Sequence, residues 1–180
     1  MLEVNMYSNN KPYIFYKTFF LILKVFFISC LISLPALAID PNSKSPIEIE
    51  SDQATLDDKT GSSTYSGNVI ITQGLSRLEA DFITVNSAER KISSISATGS
   101  PAHFVQQTES NGLSTHGYGN AITYRTDDGS LTFKGNARLI QAENSFSGEE
   151  IEYDVIKKAI KAKGDENIGT RVKIQYFPQP

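Results

Sequence analysis

Apolar and polar residues alternate with a period of two along most of the chain after residue 45, which predicts strands rather than helices. Pro46-Ile47-Glu48-Ile49-Glu50 alternates apolar with charged positions. Tyr65-Ser66-Gly67-Asn68-Val69-Ile70-Ile71 places Tyr65, Val69 and Ile71 on one face. Leu131-Thr132-Phe133 continues through Gly135, Ala137 and Leu139 with the same period, and Val172-Lys173-Ile174-Gln175-Tyr176 repeats it near the end. Turn signals fall between these runs at Lys59-Thr60-Gly61, Gln73-Gly74, Asn111-Gly112 and Asp127-Asp128-Gly129. Glycine there tolerates the positive φ of hairpin turns. Glu150–Lys163 could pass for a helix, but Ile151, Tyr153 and Val155 alternate. That stretch reads as strand, a turn near Lys157-Lys158, then strand.

The pattern also repeats within the chain. Gly61, Tyr65, Gly67-Asn68, Ile71 and Gln73 recur 68 positions later as Gly129, Phe133, Gly135-Asn136, Leu139 and Gln141. Leu78, Ala80, Asp81, Ile83 and Ile92 recur as Phe146, Gly148, Glu149, Ile151 and Ile160. Both copies shift parity at the same place. Leu78 and Ala80 are even and Ile83 and Val85 odd; Phe146 and Gly148 are even and Ile151 and Tyr153 odd. A bulge does this to a strand, turning it around a corner while keeping its apolar side chains inside. Two copies of a bent hairpin predict stacked meanders in a curved antiparallel sheet. Such a sheet is elongated, unlike a compact sandwich around a catalytic cleft.

Composition separates the chain into two materials. Residues 1–38 hold 25 of the 71 apolar residues, five of the ten Phe, the only Cys and none of the Gly. Lys11 and Lys17 precede the apolar run Phe19–Leu34, and Leu34-Pro35-Ala36-Leu37-Ala38 ends it with small residues at 36 and 38. This is the layout of a signal peptide, with cleavage expected after Ala38 and residues 39–180 as the exported domain. A retained membrane anchor is the alternative, because Phe19–Ala38, about 20 residues, is long enough to span a bilayer. Cys30 sits in Phe27-Ile28-Ser29-Cys30 with apolar sequence after it, a poor match to a lipidation site.

The 142 residues that follow are enough for one domain with its own core. They hold 46 apolar residues, about 32%, and a net charge of 14 minus 19, or −5. No basic cluster stands out, which argues against nucleic-acid binding. The absence of Cys after residue 38 excludes a thiol nucleophile and Cys-type zinc sites there. His103 and His116 are too few for a multi-His centre, and His103 should point away from Ala102 and Phe104. The carboxylate pairs Asp57-Asp58, Asp127-Asp128 and Glu149-Glu150 are strand neighbours facing opposite ways, so they read as turns and solvated faces. Asp81 and Glu149, at the two corners, are expected to satisfy backbone amides. No catalytic motif appears, and no enzyme activity or cofactor is expected. What remains is one alternating apolar face. It is either an ordinary closed core or a sheet folded over a channel for lipid chains.

Six stretches in order resemble the OstA-like family of lipopolysaccharide-transport proteins. They are Pro46–Gln53, Tyr65–Gly74, Leu78–Asp81, Gly99–Phe104, Phe133–Ala137 and Gly148–Tyr153, within a similarity covering roughly 46–177. The resemblance implies an all-β fold, an open twisted antiparallel β-jellyroll with a hydrophobic groove. It implies no enzymatic activity. It implies a periplasmic carrier that binds lipopolysaccharide by the acyl chains of lipid A and bridges the inner and outer membranes. The implied partners are the inner-membrane receptor LptC, the outer-membrane translocon LptD and further copies joined head to tail. The family's lipid-facing positions match Ile47, Ile49, Phe104 and Tyr124; alternation adds Tyr65, Val69, Ile71, Phe133 and Leu139 to that face. Two other readings stay open: a membrane-anchored LptC-like receptor of the same pathway, and an exported structural or adhesive β-protein with a closed core. Ile47–Glu50 and Arg171–Tyr176 are the expected edge strands, free to pair with another protomer.

Overall fold

A computed structural model describes residues 45–89, 91–107 and 114–178. The expected signal peptide and the Asn111-Gly112 turn lie outside the described residues. Ten strands are found: β1 Ile47–Glu50, β2 Gln53–Asp57, β3 Ser62–Gln73, β4 Ser76–Ala88, β5 Lys91–Gln107, β6 Ser114–Arg125, β7 Ser130–Gln141, β8 Asn144–Asp154, β9 Ala159–Lys163 and β10 Lys173–Gln175. There is no helix among the described residues. The strands form one antiparallel sheet, in the order β1-β3-β4-β5-β6-β7-β8-β10. β2 pairs with the first half of β3 and β9 with the last part of β8. Both edges are therefore split: β1 and β2 share β3, while β9 and β10 share β8.

The sheet turns a corner along a single line. β3 and β4 lose register between Ser66 and Val69, so Gly67 and Asn68 oppose one residue, Asp81. β7 and β8 do the same between Lys134 and Ala137, where Gly135 and Asn136 oppose Glu149. Register also shifts at this level between β4 and β5, β5 and β6, and β6 and β7. The 68-residue echo and its parity break are thus the two bulges at the fold line. Gly67 (φ 78°), Asn68 (φ 48°), Gly135 (φ 73°) and Asn136 (φ 52°) are all left-handed. Glycine takes this conformation freely and asparagine more readily than most other residues. The expected role for Asp81 and Glu149 is not what forms. Neither makes a side-chain hydrogen bond to the bulge backbone among the described residues. Asp52 does the holding at the first corner, where its amide donates to the Gly67 carbonyl at 3.0 Å. Its carboxylate accepts from the Asn68 side chain at 3.2 Å.

Two leaves result. One carries β1, the second half of β3, the first parts of β4 and β8, and β10. The other carries β2, the first half of β3, the later parts of β4 and β8, and β9. Their inner faces meet in one apolar cluster containing Val69, Ile83, Ile122, Phe133, Leu139 and Ile151, each almost wholly buried. No polar or charged residue is buried among the described residues. The outer face of the second leaf is a plain of hydroxyls, with Thr64, Thr84, Ser96, Thr123 and Thr132 in register across β3 to β7.

A cleft between two sheet leaves

Paired residues in an antiparallel sheet share a face, so the register assigns every inward side chain to a rung. On the first leaf one rung runs Ile49, Ile71, Leu78, Phe104, Gly117, Leu139 and Phe146. Four of the residues expected to face lipid, Ile49, Ile71, Phe104 and Leu139, fall on this single rung. Val69 lies one rung nearer the corner, paired with Ala80. Ile47 lies one rung toward the open end and is 37% exposed. On the second leaf Tyr65 shares a rung with Ile83, Ala97, Ile122, Phe133 and Ile151. Tyr124 belongs to the next, with Val85, Ile95, Leu131 and Tyr153.

The nine expected residues share the inner surface but not one environment. Phe133 has no exposure, and its ring lies over Gly117 of the opposite leaf, where an added Cβ would run into it. Its centroid is 6.5 Å from that of Phe104. Gly117 leaves a gap in its rung and Phe133 fills it, so the two leaves interlock there. Val69 and Leu139 are sealed in the same packing. Ile71, Phe104 and Tyr124 instead line a cleft that opens to solvent, together with Leu78, Ile95 and Leu131. Gln73, Ser76 and Arg77 stand around it, and its volume is about 60 Å³. That is far below the roughly 300 Å³ at which small-molecule pockets begin. In this conformation the groove is shut over most of its length and open at one lip.

Sequence reasoning missed Leu78, Ile95 and Leu131 as lining residues. Ile95 was accessible from the alternation of Ser94-Ile95-Ser96-Ala97, and Leu78 from its pairing with Ile71. Gly117 carried no such signal. Its function is to have no side chain, which appears only once Phe133 is placed above it.

The titratable groups sit on the outside of this wall. His103 points away from Ala102 and Phe104, as expected, and stacks on Tyr118 with centroids 4.3 Å apart. Its Nε2 lies 3.2 Å from Nδ1 of His116, whose Nε2 lies 2.7 Å from the Ser114 hydroxyl. Glu79 approaches His103 Nδ1 at 3.6 Å and accepts from Arg77 at 2.6 Å. The Arg77 hydrogen bond holds the Glu79 carboxyl below its usual range. Partial burial pushes His103 down, against the pull of Glu79. Glu79, His103, His116 and Ser114 form a satisfied chain across β4, β5 and β6 on the face opposite the cleft, and Arg77 joins it from the cleft's edge. Asp57, Asp127 and Asp154 bind turn backbone or neighbouring cations. Glu150 is held below its usual range by hydrogen bonds from Lys163 and Lys134. No group of three His, Cys, Asp or Glu able to hold a metal occurs among the described residues.

The likeness to known proteins covers most of this architecture. A family model described as "LptA/(LptD N-terminal domain) LPS transport protein" matches residues 48–159. The lipopolysaccharide export system protein LptH of Pseudomonas aeruginosa is 31% identical over 149 residues, covering 81% of this chain and 85% of that one. The lipopolysaccharide export system protein LptA of Escherichia coli K12 is 34% identical over 148 residues, covering 81% and 78%. A crystal structure of LptH, titled as the LptA-homologous periplasmic component of the lipopolysaccharide transport device of P. aeruginosa, superposes with a TM-score of 0.70 at 27% identity. It covers 77% of this chain and 99% of that one.

Proposed function

This chain belongs to the LptA/LptD N-terminal-domain family of lipopolysaccharide transport proteins, and from that premise we propose that it is the periplasmic bridge of a lipopolysaccharide export system. It shelters the acyl chains of lipid A between the inner and outer membranes and performs no catalysis. The supporting observation is the apolar rung from Ile49 to Phe146, interrupted only at Gly117 where Phe133 of the other leaf fills in, which crosses the sheet and opens at the cleft of Ile71, Phe104 and Tyr124. Each methylene exposed to water costs about 0.8 kcal/mol, so ten on one chain cost about 8 kcal/mol. An apolar inner face removes that cost without fixing the chain in one place, because the attraction is non-directional.

Photo-crosslinking residues at positions 104 and 124 are expected to form adducts with lipopolysaccharide in cells, and controls at Thr98 and Lys161 on the outer face are not. Equal labelling at inner and outer positions would reject the carrier reading in favour of an ordinary closed core.

The bridge forms by head-to-tail pairing of edge strands, with LptC at the inner-membrane end and LptD at the outer. In support, β1 and β10 lie at opposite edges of the sheet. Ile174 and Tyr176 are 59% and 66% exposed. The Phe177 amide donates to Asn144 on the β8 side at 2.9 Å. Amides alternate along a strand, so that of Ile174 points outward, away from β8. Ile174→Pro therefore removes an edge donor and spares the sheet. Light scattering should show a folded monomer at concentrations where the parent chain assembles, and parent-like assembly would rule out this edge. Export with cleavage after Ala38 completes the proposal; an exported protein whose N-terminus is Ile39 supports it, and one that keeps residues 19–38 is the anchored receptor instead.

A further inference from the structure

Just beyond the apolar rung, at the lip of the first leaf, every strand from β3 to β8 places an uncharged polar residue on the inner face. The pairings Gln73 with Ser76, Ser76 with Gln106, Gln106 with Thr115, Thr115 with Gln141, and Gln141 with Asn144 make this one continuous rung. Its six members are all partly buried, and none carries a charge. With neighbouring strands about 4.8 Å apart, it is about 24 Å long. Its end members are engaged. Gln73 donates to the Ser45 carbonyl at 3.4 Å, and Asn144 accepts from the Phe177 amide. Gln141 hydrogen-bonds Tyr153 across the cleft from the second leaf. The middle three, Ser76, Gln106 and Thr115, make no side-chain hydrogen bond among the described residues. The polar atoms of these three reach solvent, so water on them can be exchanged for the donors and acceptors of a ligand.

We propose that this rung is a rail for the uncharged linkage region of the cargo, the ester, amide and hydroxyl groups that join acyl chains to a sugar headgroup. The inference rests on the carrier reading above. A chain lying against Ile71, Leu78 and Phe104 has its first polar atoms two residues further along the strands, about 6.8 Å away, which is the level of the lip. Side-chain amides and hydroxyls donate and accept, as those linkage groups do; a phosphate site would call for a free Arg or Lys, and Arg77, which stands beside Ser76 at the cleft, is engaged by Glu79 at 2.6 Å. Repetition at every strand lets the linkage exchange one partner for the next while the chains slide below it.

The test compares lipid A with palmitate, which has a chain but no such linkage, by displacement of a fluorescent acyl probe from the full-length processed protein. In Gln106→Leu/Thr115→Val the lipid A dissociation constant should rise at least tenfold while that of palmitate stays within twofold. Gln106→Asn in place of Gln106→Leu should restore most of the lost affinity. If both ligands bind the double variant as they bind the parent, the rail is refuted. An equal loss for both also refutes it, since the rung is then only structural. If the double variant does not fold, Ser76→Ala alone is judged by the same criterion. A parent protein that binds neither ligand overturns the carrier reading itself, a distinct result.

Discussion

Phe133→Ala should lower the unfolding free energy by about 3–5 kcal/mol, measured by urea denaturation of the purified protein. The ring has no exposed surface and bridges from the second leaf to Gly117 of the first. Truncation leaves a hole between two leaves that β-sheet hydrogen bonding holds in place, so the site collapses poorly and the cavity cost stays near the upper end. For a domain whose whole stability is about 5–15 kcal/mol, that is a large share. A loss under about 1 kcal/mol would show that the leaves are not locked at this point.

The same lock bears on how cargo enters. The cleft of about 60 Å³ cannot hold an acyl chain as it stands, so the leaves must part beyond Tyr124 and Phe104. Parting them costs at most the packing that Phe133 and its neighbours contribute. Burying ten methylenes returns about 8 kcal/mol, more than the 3–5 kcal/mol expected for the Phe133 contact alone. Chain burial on this scale therefore offsets the loss of the Phe133 contact. Closure between deliveries also keeps the apolar face out of water, where it would otherwise present an aggregation surface.

The inner face and its corner were legible in the sequence. The corner was legible because a bulge leaves a parity break, and the break recurs at Ala80/Ile83 and Gly148/Ile151. The inner face was legible because it alternates. The division of that face into sealed and open parts was not. Phe133 and Phe104 look alike in the sequence, and only the gap at Gly117 makes one a lock and the other a lining. The extent of β6 was hidden for the same reason. Thr115-His116-Gly117-Tyr118-Gly119 is Gly-rich and shows no alternating apolar face, yet both glycines are inside the strand, Gly119 close against the Lys134 carbonyl at the corner. Pro101 similarly obscured the middle of β5, where the register shift gives it a place off the ladder. β2 was missed although Gln53-Ala54-Thr55-Leu56-Asp57 alternates, because the run is five residues long and its two apolar residues, Ala54 and Leu56, give a weak signal and stay exposed. A composition lean in apolar residues, about 32% after residue 38, corresponds to a sheet with one apolar face that largely closes on itself.

Gly135→Val is expected to be the most damaging change at the fold line. Gly135 has φ 73°, and a Cβ there would come within 2.7 Å of the Asn120 side-chain amide. A β-branched residue forced into this region costs about 1–3 kcal/mol before any crowding is counted. The chain cannot escape by straightening. Removing the bulge shifts register by one residue and turns Ala137 and Leu139, both fully buried, to the outside. The combined loss should be about 3 kcal/mol or more, with a lower urea midpoint and loss of the cooperative transition in the extreme case. Asn136→Gly, one residue on, is the matched control. It relaxes φ 52° without adding bulk and should stay within about 1 kcal/mol of the parent. Parent-like stability in Gly135→Val would mean that the paired left-handed residues do not set the corner, and the turn between the leaves would then have to come from the irregular middle of β5.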